Sequence, residues 1–251
     1  MLVLFHRRWL FTTLLVIAVV AVMVRLGKWQ LDRLEQRRAF NARVSQQVEL
    51  PRLLLDADAA ELDLYAMEYR KVVLHGEYDF SKEIALRNRA FNNRFGVELF
   101  TPLMIEGSQK AVLVNRGWIP IEESAPEDWH QYQVDGVVTV QGIIRRAPAK
   151  PDYGTMQNPT KEPDATRLEF WNIIEITRIA EENDLELLPV YILPEAVGEI
   201  GVLPATAPFE LELTEGPHAG YALQWFAFAT TLLIGYPFFV KKQKAESINK
   251  V

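Results

Sequence analysis

The sequence predicts a membrane protein of the α+β class, with two transmembrane helices flanking a mainly antiparallel β domain, a sandwich or partly closed barrel, outside the cytoplasm. Three observations carry this expectation. Apolar runs stand at both ends, Trp9–Leu26 and Tyr221–Val240, and the second contains no charged residue. At ~1.5 Å rise per residue, about twenty residues cross the ~30 Å hydrocarbon core of a bilayer. Between the runs the apolar period shifts to two, the spacing of half-buried strands. Finally, Lys241, Lys242 and Lys244 follow the second run and Glu210, Glu212 and Glu215 precede it, so the positive-inside rule keeps the lysines in the cytoplasm.

The expected order is a cytoplasmic N-terminus (1–8), a first span (9–26), and a periplasmic, mainly β domain with an N-terminal helical extension (27–217). A second span (218–240) and a cytoplasmic tail (241–251) complete the chain. The first run follows His6, Arg7 and Arg8, exceeds a signal-peptide core in length, and lacks an A-x-A cleavage site, which reads as an uncleaved anchor. Cations are dense just after it: Arg25, Lys28, Arg33, Arg37, Arg38 and Arg43 against Asp32 and Glu35. Alone, that stretch would sit inside; the second span, whose flanks differ cleanly in sign, decides the topology. The cations then belong either to a solvated helix or to a surface that meets an anion, such as lipid headgroups or cofactor carboxylates.

Helical spacing continues from Gly27 to about Val44, and Asp56–Leu64 reads as a short helix. Strands are expected at Tyr69–His75, Ile84–Arg87, Val97–Leu103, Ala111–Asn115 and Val137–Ile144, bounded by Gly76, Asn92-Asn93 and Glu106-Gly107. A proline-rich segment follows from Ala147 to Arg167, long enough to be either functional or irregular packing. Ile176–Asn183 reads as an amphipathic helix, and Pro189–Leu193 and Phe209–Leu213 as the last strands.

Composition excludes several kinds of chemistry. A net charge of −6 over 251 residues disfavours non-specific nucleic-acid binding. The absence of cysteine removes disulfides, thiolate metal sites and CxxC redox chemistry. The five methionines are scattered, so no soft copper site is present, and metal chemistry would have to arrive inside a cofactor. There is no GxSxG, HExxH, P-loop or GxGxxG motif, and the expectation is a protein that is not an enzyme.

Of the four histidines, His75 and His130 read as surface or turn residues, and His6 belongs to the cytoplasmic flank. His218 differs by position. It opens the second span beside Pro217, with Tyr221 and Trp225 on the same helical face. An ionisable residue at the mouth of a membrane helix is either a functional group, such as an axial ligand to haem iron, or a headgroup anchor. Because the spans run antiparallel, the exit of the first and the entrance of the second share one membrane face. Trp29, Gln30, Gln224 and Trp225 then line an interfacial site, or the tryptophans form an aromatic belt. In VLVNRGWIP, alternation places Arg116 and Trp118 on one strand face. That arginine is either presented to a carboxylate-bearing planar ligand or held at a corner, paired with a carboxylate.

The motifs LGKWQLDRLEQRR, YRKVVLHGEYD, VLVNRGWIP, FWNIIEI followed by LPVYI, and HAGYALQWFAFA occur in order from about Leu26 to Phe228. Together they resemble the Surfeit locus protein 1 family of assembly factors for haem–copper cytochrome oxidases. The resemblance implies two spans around a periplasmic or intermembrane-space domain, and a role in maturing oxidase subunit I linked to delivery or protection of haem A. It assigns haem binding to the histidine that falls on His218, and it aligns the family's tryptophan with Trp29 and its Asn-Arg-Gly-Trp motif with Asn115–Trp118. Here Gly216-Pro217 precede the histidine and Ala219 follows, where family members often carry asparagine and leucine.

The expected function is therefore a non-enzymatic assembly factor. His218 would be the iron ligand, Tyr221, Trp225 and Trp29 would pack the macrocycle, and Arg33 or Arg116 would pair with its propionates. Expected partners are oxidase subunit I, haem A synthase, other assembly factors and membrane lipid, with no nucleic acid. The alternative is a cofactor-free membrane scaffold that grips nascent subunit I or a haem-synthesis enzyme. Only two arginines precede the first span and no Arg/Ser-rich leader is present, which fits a bacterial inner-membrane protein with both termini cytoplasmic.

Overall fold

The computed structural model describes residues 7, 9–148, 157–161, 166–195, 202–206, 209 and 211–248. The chain divides into two compact units, Met1–Arg43 with Glu212–Val251, and Val44–Leu211.

The first unit is a pair of helices, α1 (Leu10–Glu49, whose last turns belong to the second unit) and α3 (His218–Ile248). The predicted first span and helical extension are one uninterrupted helix, ending five residues beyond the expected Val44. Both helices are long and apolar enough to cross a membrane, and only 11% of each apolar window is buried within the protein. Leu14, Leu15, Ile17 and Val22 on α1, and Leu223, Leu233, Ile234 and Phe238 on α3, are exposed. In water such a surface would be strongly unfavourable; in hydrocarbon it is matched. The two helices are antiparallel partners: Trp9 packs edge-on against Phe239, and the Thr13 hydroxyl bonds the Tyr236 hydroxyl at 2.8 Å.

The second unit is built on β2 (Lys71–Tyr78), β3 (Ile84–Phe91), β4 (Arg94–Ile105), β5 (Ala111–Pro120), β6 (Val137–Arg145) and β8 (Leu187–Pro194). The ladder β2-β6-β8-β5-β4 returns to β2 and closes a five-stranded barrel. All its pairings are antiparallel except β5 with β8. Gly76 sits where β2 passes from β6 to β4, pairing Val138 on one side and Ile105 on the other. A Cβ there would stand 2.1 Å from the Met104 carbonyl, so this corner takes only glycine. Alternating apolar residues fill the interior, with Val72, Leu74, Leu103, Val112, Val114 and Ile192 fully buried. Closure gives each of the five ring strands a neighbour on both sides, where a sandwich or open barrel would leave some of them as edges.

Outside the barrel, α2 (Ile176–Asn183) covers a second cluster in which Trp171 and Ile179 are fully buried and Ile84, Leu86 and Phe100 pack beneath. The left-handed Asp184 ends α2. Two two-residue strands escaped the sequence reading: β1 (Leu53–Leu54) beside β2, and β7 (Phe170–Trp171) beside β3. The expected Asp56–Leu64 helix shrinks to a 3₁₀ turn at Ala59–Glu61. Asn92 and Asn93, both with positive φ, make the tight turn between β3 and β4.

One expected strand is absent. Across Phe209–Leu213, the described residues, all but Glu210, form no ladder. Asn41 donates to the Leu213 carbonyl and Arg37 to the Glu212 and Thr214 carbonyls, so side chains of α1 satisfy this backbone instead of a neighbouring strand. In the proline-rich segment, residues 149–156 and 162–165 lie outside the described residues. The described part is held by Asn158, whose amide oxygen accepts from the Asn172 and Ile173 backbone N–H groups.

Candidate ligand site in the helix pair

α3 begins at His218, directly after Pro217. Its half-buried imidazole is 2.8 Å through Nδ1 from the Gln30 side-chain oxygen on α1. One turn earlier on α1, Gly27 meets the Phe226 ring, and a Cβ at Gly27 would come within 2.8 Å of two ring carbons. The missing side chain lets the helices approach, and the approach lets glutamine reach the histidine. Trp225 lies seven residues after His218, close to the same face of α3, and stacks edge-on against Phe228 at 6.4 Å. Tyr221 stands half-exposed one turn from His218.

The other predicted residues are not gathered there. At ~100° per residue, Trp29 points ~100° round α1 from Gln30 and ~160° from Gly27. Trp29 is 49% exposed and lines a hollow of about 500 Å³ with Val22, Arg25, Leu26, Lys28 and Asp32, all on α1. Arg33 is turned toward Trp29, its guanidinium 5.8 Å from the ring centre, and donates to Gln36 at 3.1 Å. The structure thus joins His218 with Gln30, leaves Trp225 about two turns along the same face of α3, and places Trp29 and Arg33 on another flank.

Two of the cations after the first span, Lys28 and Arg38, do meet an anion supplied by the chain itself, Lys28 pairing with Asp32 at 2.9 Å. Arg38 binds the Glu215 carboxylate in a two-pronged pair at 2.7 and 2.9 Å. That bond holds the Glu215 carboxyl below the ordinary carboxylate range. With Arg37 and Asn41, it ties the segment leading into α3 to α1, which spacing alone did not reveal.

Arg116 lies in the second unit, in the Asn115–Trp118 corner. β4 pairs Phe100 with Asn115 and Leu99 with Gly117, which leaves Arg116 as the extra residue of a bulge. The bulge resets the alternation, so the expectation of a shared face for Arg116 and Trp118 fails. Ile119, not Trp118, rejoins the core beside Val97 and Leu99, while Trp118 packs on Phe91 and Arg94. Gly117 permits the bend with φ +119, and its N–H bonds the Asn115 side chain at 2.9 Å. The Arg116 guanidinium is 3.1 Å from Glu83, also donates to the Tyr132 carbonyl, and lies over the Phe80 ring. Only 8% of the Arg116 side chain and 1% of Glu83 are exposed. Burial raises the Glu83 carboxyl above its ordinary value, against the opposing pull of Thr101 and Arg116. Burial likewise pushes the neighbouring Tyr78 phenol up to about 12. The corner reading, an arginine paired with a carboxylate, describes this geometry.

His75 bonds Thr139 across β2 and β6, and His130 donates to the Glu127 carbonyl, as expected of surface and turn residues. His6 lies outside the described residues. A hollow of about 410 Å³ on the barrel wall carries Arg89, Arg145 and Arg146, but they face Glu98 and Glu68 at 3.6–3.7 Å as mutual ion pairs. Among the described residues no three His, Asp or Glu side chains converge as a metal site.

An antiparallel pair of helices long and apolar enough to cross a membrane, with one histidine at its mouth, on a chain that also forms a closed five-stranded barrel, defines a two-span α+β membrane protein. The profile of the SURF1 family matches residues 17–230, and the chain belongs to that family. It is 27% identical to a SURF1-like protein of Rickettsia felis over 90% of this chain and 95% of the relative. It is 23% identical to Surfeit locus protein 1 of Takifugu rubripes over 90% and 96%, and 24% identical to a SURF1-like protein of Monosiga brevicollis over 90% and 86%.

Proposed function

We propose that this chain is a non-enzymatic assembly factor for haem–copper cytochrome oxidase, which holds haem A for subunit I through His218. Family membership supports the assembly role. The observation that carries the ligand reading is the placement of His218: an imidazole fixed through Nδ1 at the mouth of two apolar helices, with Trp225 and Tyr221 alongside. Haem A, when bound, would supply an iron that takes a nitrogen ligand; His218 would hold it, and Tyr221 and Trp225 would offer aromatic surface. A single histidine gives a moderate grip, which suits a cofactor meant to be passed on. The clustered lysines near the C-terminal end of α3, Lys241, Lys242 and Lys244, support a topology with both termini in the cytoplasm and the barrel on the outer side of a bacterial inner membrane. Haem A synthase and other assembly factors are further partners in this reading.

The test is the visible spectrum of detergent-purified protein from a haem A-producing strain, beside its His218→Ala variant. A haem band lost or shifted in the variant is expected. A band untouched by the substitution would move the ligand elsewhere. A cofactor-free scaffold is the second reading, favoured by the exposed Phe95 (75%) and Ile121 (53%), apolar residues at one end of the β4–β5 ladder. It predicts no haem in either protein, and an assembly defect on replacing those two residues.

A further inference from the structure

We infer that Gln30 is a positioning residue that selects the tautomer of His218. Gln30 Oε1 is an acceptor with no proton to give, so at 2.8 Å it requires Nδ1 to carry the hydrogen. A neutral ring protonated at Nδ1 has its lone pair on Nε2. Among the described residues nothing bonds that nitrogen, so it is the one presented to a ligand. This matters because a free neutral imidazole side chain prefers the opposite tautomer, with the proton on Nε2 and no lone pair there. The glutamine inverts that preference before any ligand arrives, as carbonyl and carboxylate acceptors do behind metal-bound histidines. It can do so because Gly27, one turn away, admits the Phe226 ring and brings the helices together. Gln224, the other glutamine near the mouth, lies on α3 itself, the helix that carries His218.

The inference rests on His218 being the ligand, and its test separates the two ideas. The full chain, labelled with nitrogen-15 histidine, is purified without haem in detergent at a pH where His218 is neutral. The His218 ring signals are identified by their loss in His218→Ala. Wild-type protein is expected to show a protonated Nδ1 and a bare Nε2. Gln30→Leu should revert to the Nε2–H form, and Gln30→Glu, which restores an acceptor, should keep the wild-type form. Titration with ferric haem as the probe should then show about 10-fold to 100-fold weaker binding for Gln30→Leu, the usual cost of losing such a partner, and rescue by Gln30→Glu. An Nε2–H ring in wild-type protein, or a tautomer unchanged in Gln30→Leu, overturns the inference even if haem binds. The expected tautomers with no haem binding in any form would keep Gln30 as the tautomer-setting partner and overturn the ligand reading instead.

Discussion

The Asn115–Trp118 corner and the mouth of the helix pair each place a nitrogen-bearing side chain against an oxygen acceptor, yet they end in opposite states. At the corner, Arg116 spends its guanidinium on Glu83, the Tyr132 carbonyl and an aromatic ring, and both charged partners are buried. At the mouth, His218 uses one nitrogen on Gln30 and keeps the other. A polar group whose bonding capacity is exhausted stabilises a fold. One whose capacity is half used is poised for a partner. The contrast predicts that substitutions at the corner are felt in stability and those at the mouth in binding.

The largest expected break is Arg116→Ala. It leaves the Glu83 carboxylate buried and unpaired, a loss of about 3–5 kcal/mol, read from urea unfolding of the detergent-solubilised chain by tryptophan fluorescence. A loss below about 1 kcal/mol would mean that the corner is not sealed in the way described. Gly117→Ala comes next. It forces an alanine to φ +119 with its Cβ 2.7 Å from the Ala205 carbonyl, and should cost about 1–3 kcal/mol in the same assay.

The third prediction concerns pH. The folded-state value of Glu83 is raised, mainly by burial, so its ionisation is a cost near neutrality. As pH falls from that raised value to the ordinary carboxylate range, the folded state takes up the proton first and the cost is relieved. Wild-type Tm should therefore rise relative to Glu83→Gln across that interval; a constant difference between the two would show no linkage. The smallest effect belongs to His218→Ala, which should leave barrel unfolding within about 0.5 kcal/mol of wild type while changing the haem spectrum. A substantial loss of barrel stability would erase the distinction between mouth and corner.

Much of the architecture was legible because period and composition report burial directly. Tyr221–Val240 needs no tertiary information to read as a span, alternation located six strands, and the helical spacing of Ile176, Ile179 and Ala180 located α2. The failures share a cause. β1 and β7 are two residues long, too short to show a period, and exist only because β2 and β3 offer them an edge. Phe209–Leu213 alternates like a strand, but its described residues form no ladder, and the Glu212 and Leu213 carbonyls accept from side chains of α1 instead. At Arg116 one inserted residue reversed the facing, and a bulge leaves almost no trace in sequence beyond Gly117. His218 was found by its position alone. That Gln30, rather than Trp29 or Arg33, turns toward it depends on the rotation of α1, which the apolar pattern of a lipid-facing helix does not fix. The motifs behind the family resemblance also divide by role. NRGW and FWNIIEI are architecture, Trp171 being fully buried, while LGKWQ and HAGYALQWF bring Gly27, Gln30, Phe226 and His218 together.

The bonds between α1 and α3 join residues far apart in the chain: 188 positions separate Gln30 from His218, and 223 separate Thr13 from Tyr236. During synthesis α1 therefore emerges first and waits in the bilayer with these groups unmatched until everything between has been made. Ribosomes release the residues of the barrel before they release His218. A truncated or stalled product can possess the whole barrel and still lack the mouth, so the order of translation is itself a checkpoint: the chain completes its helix pair last.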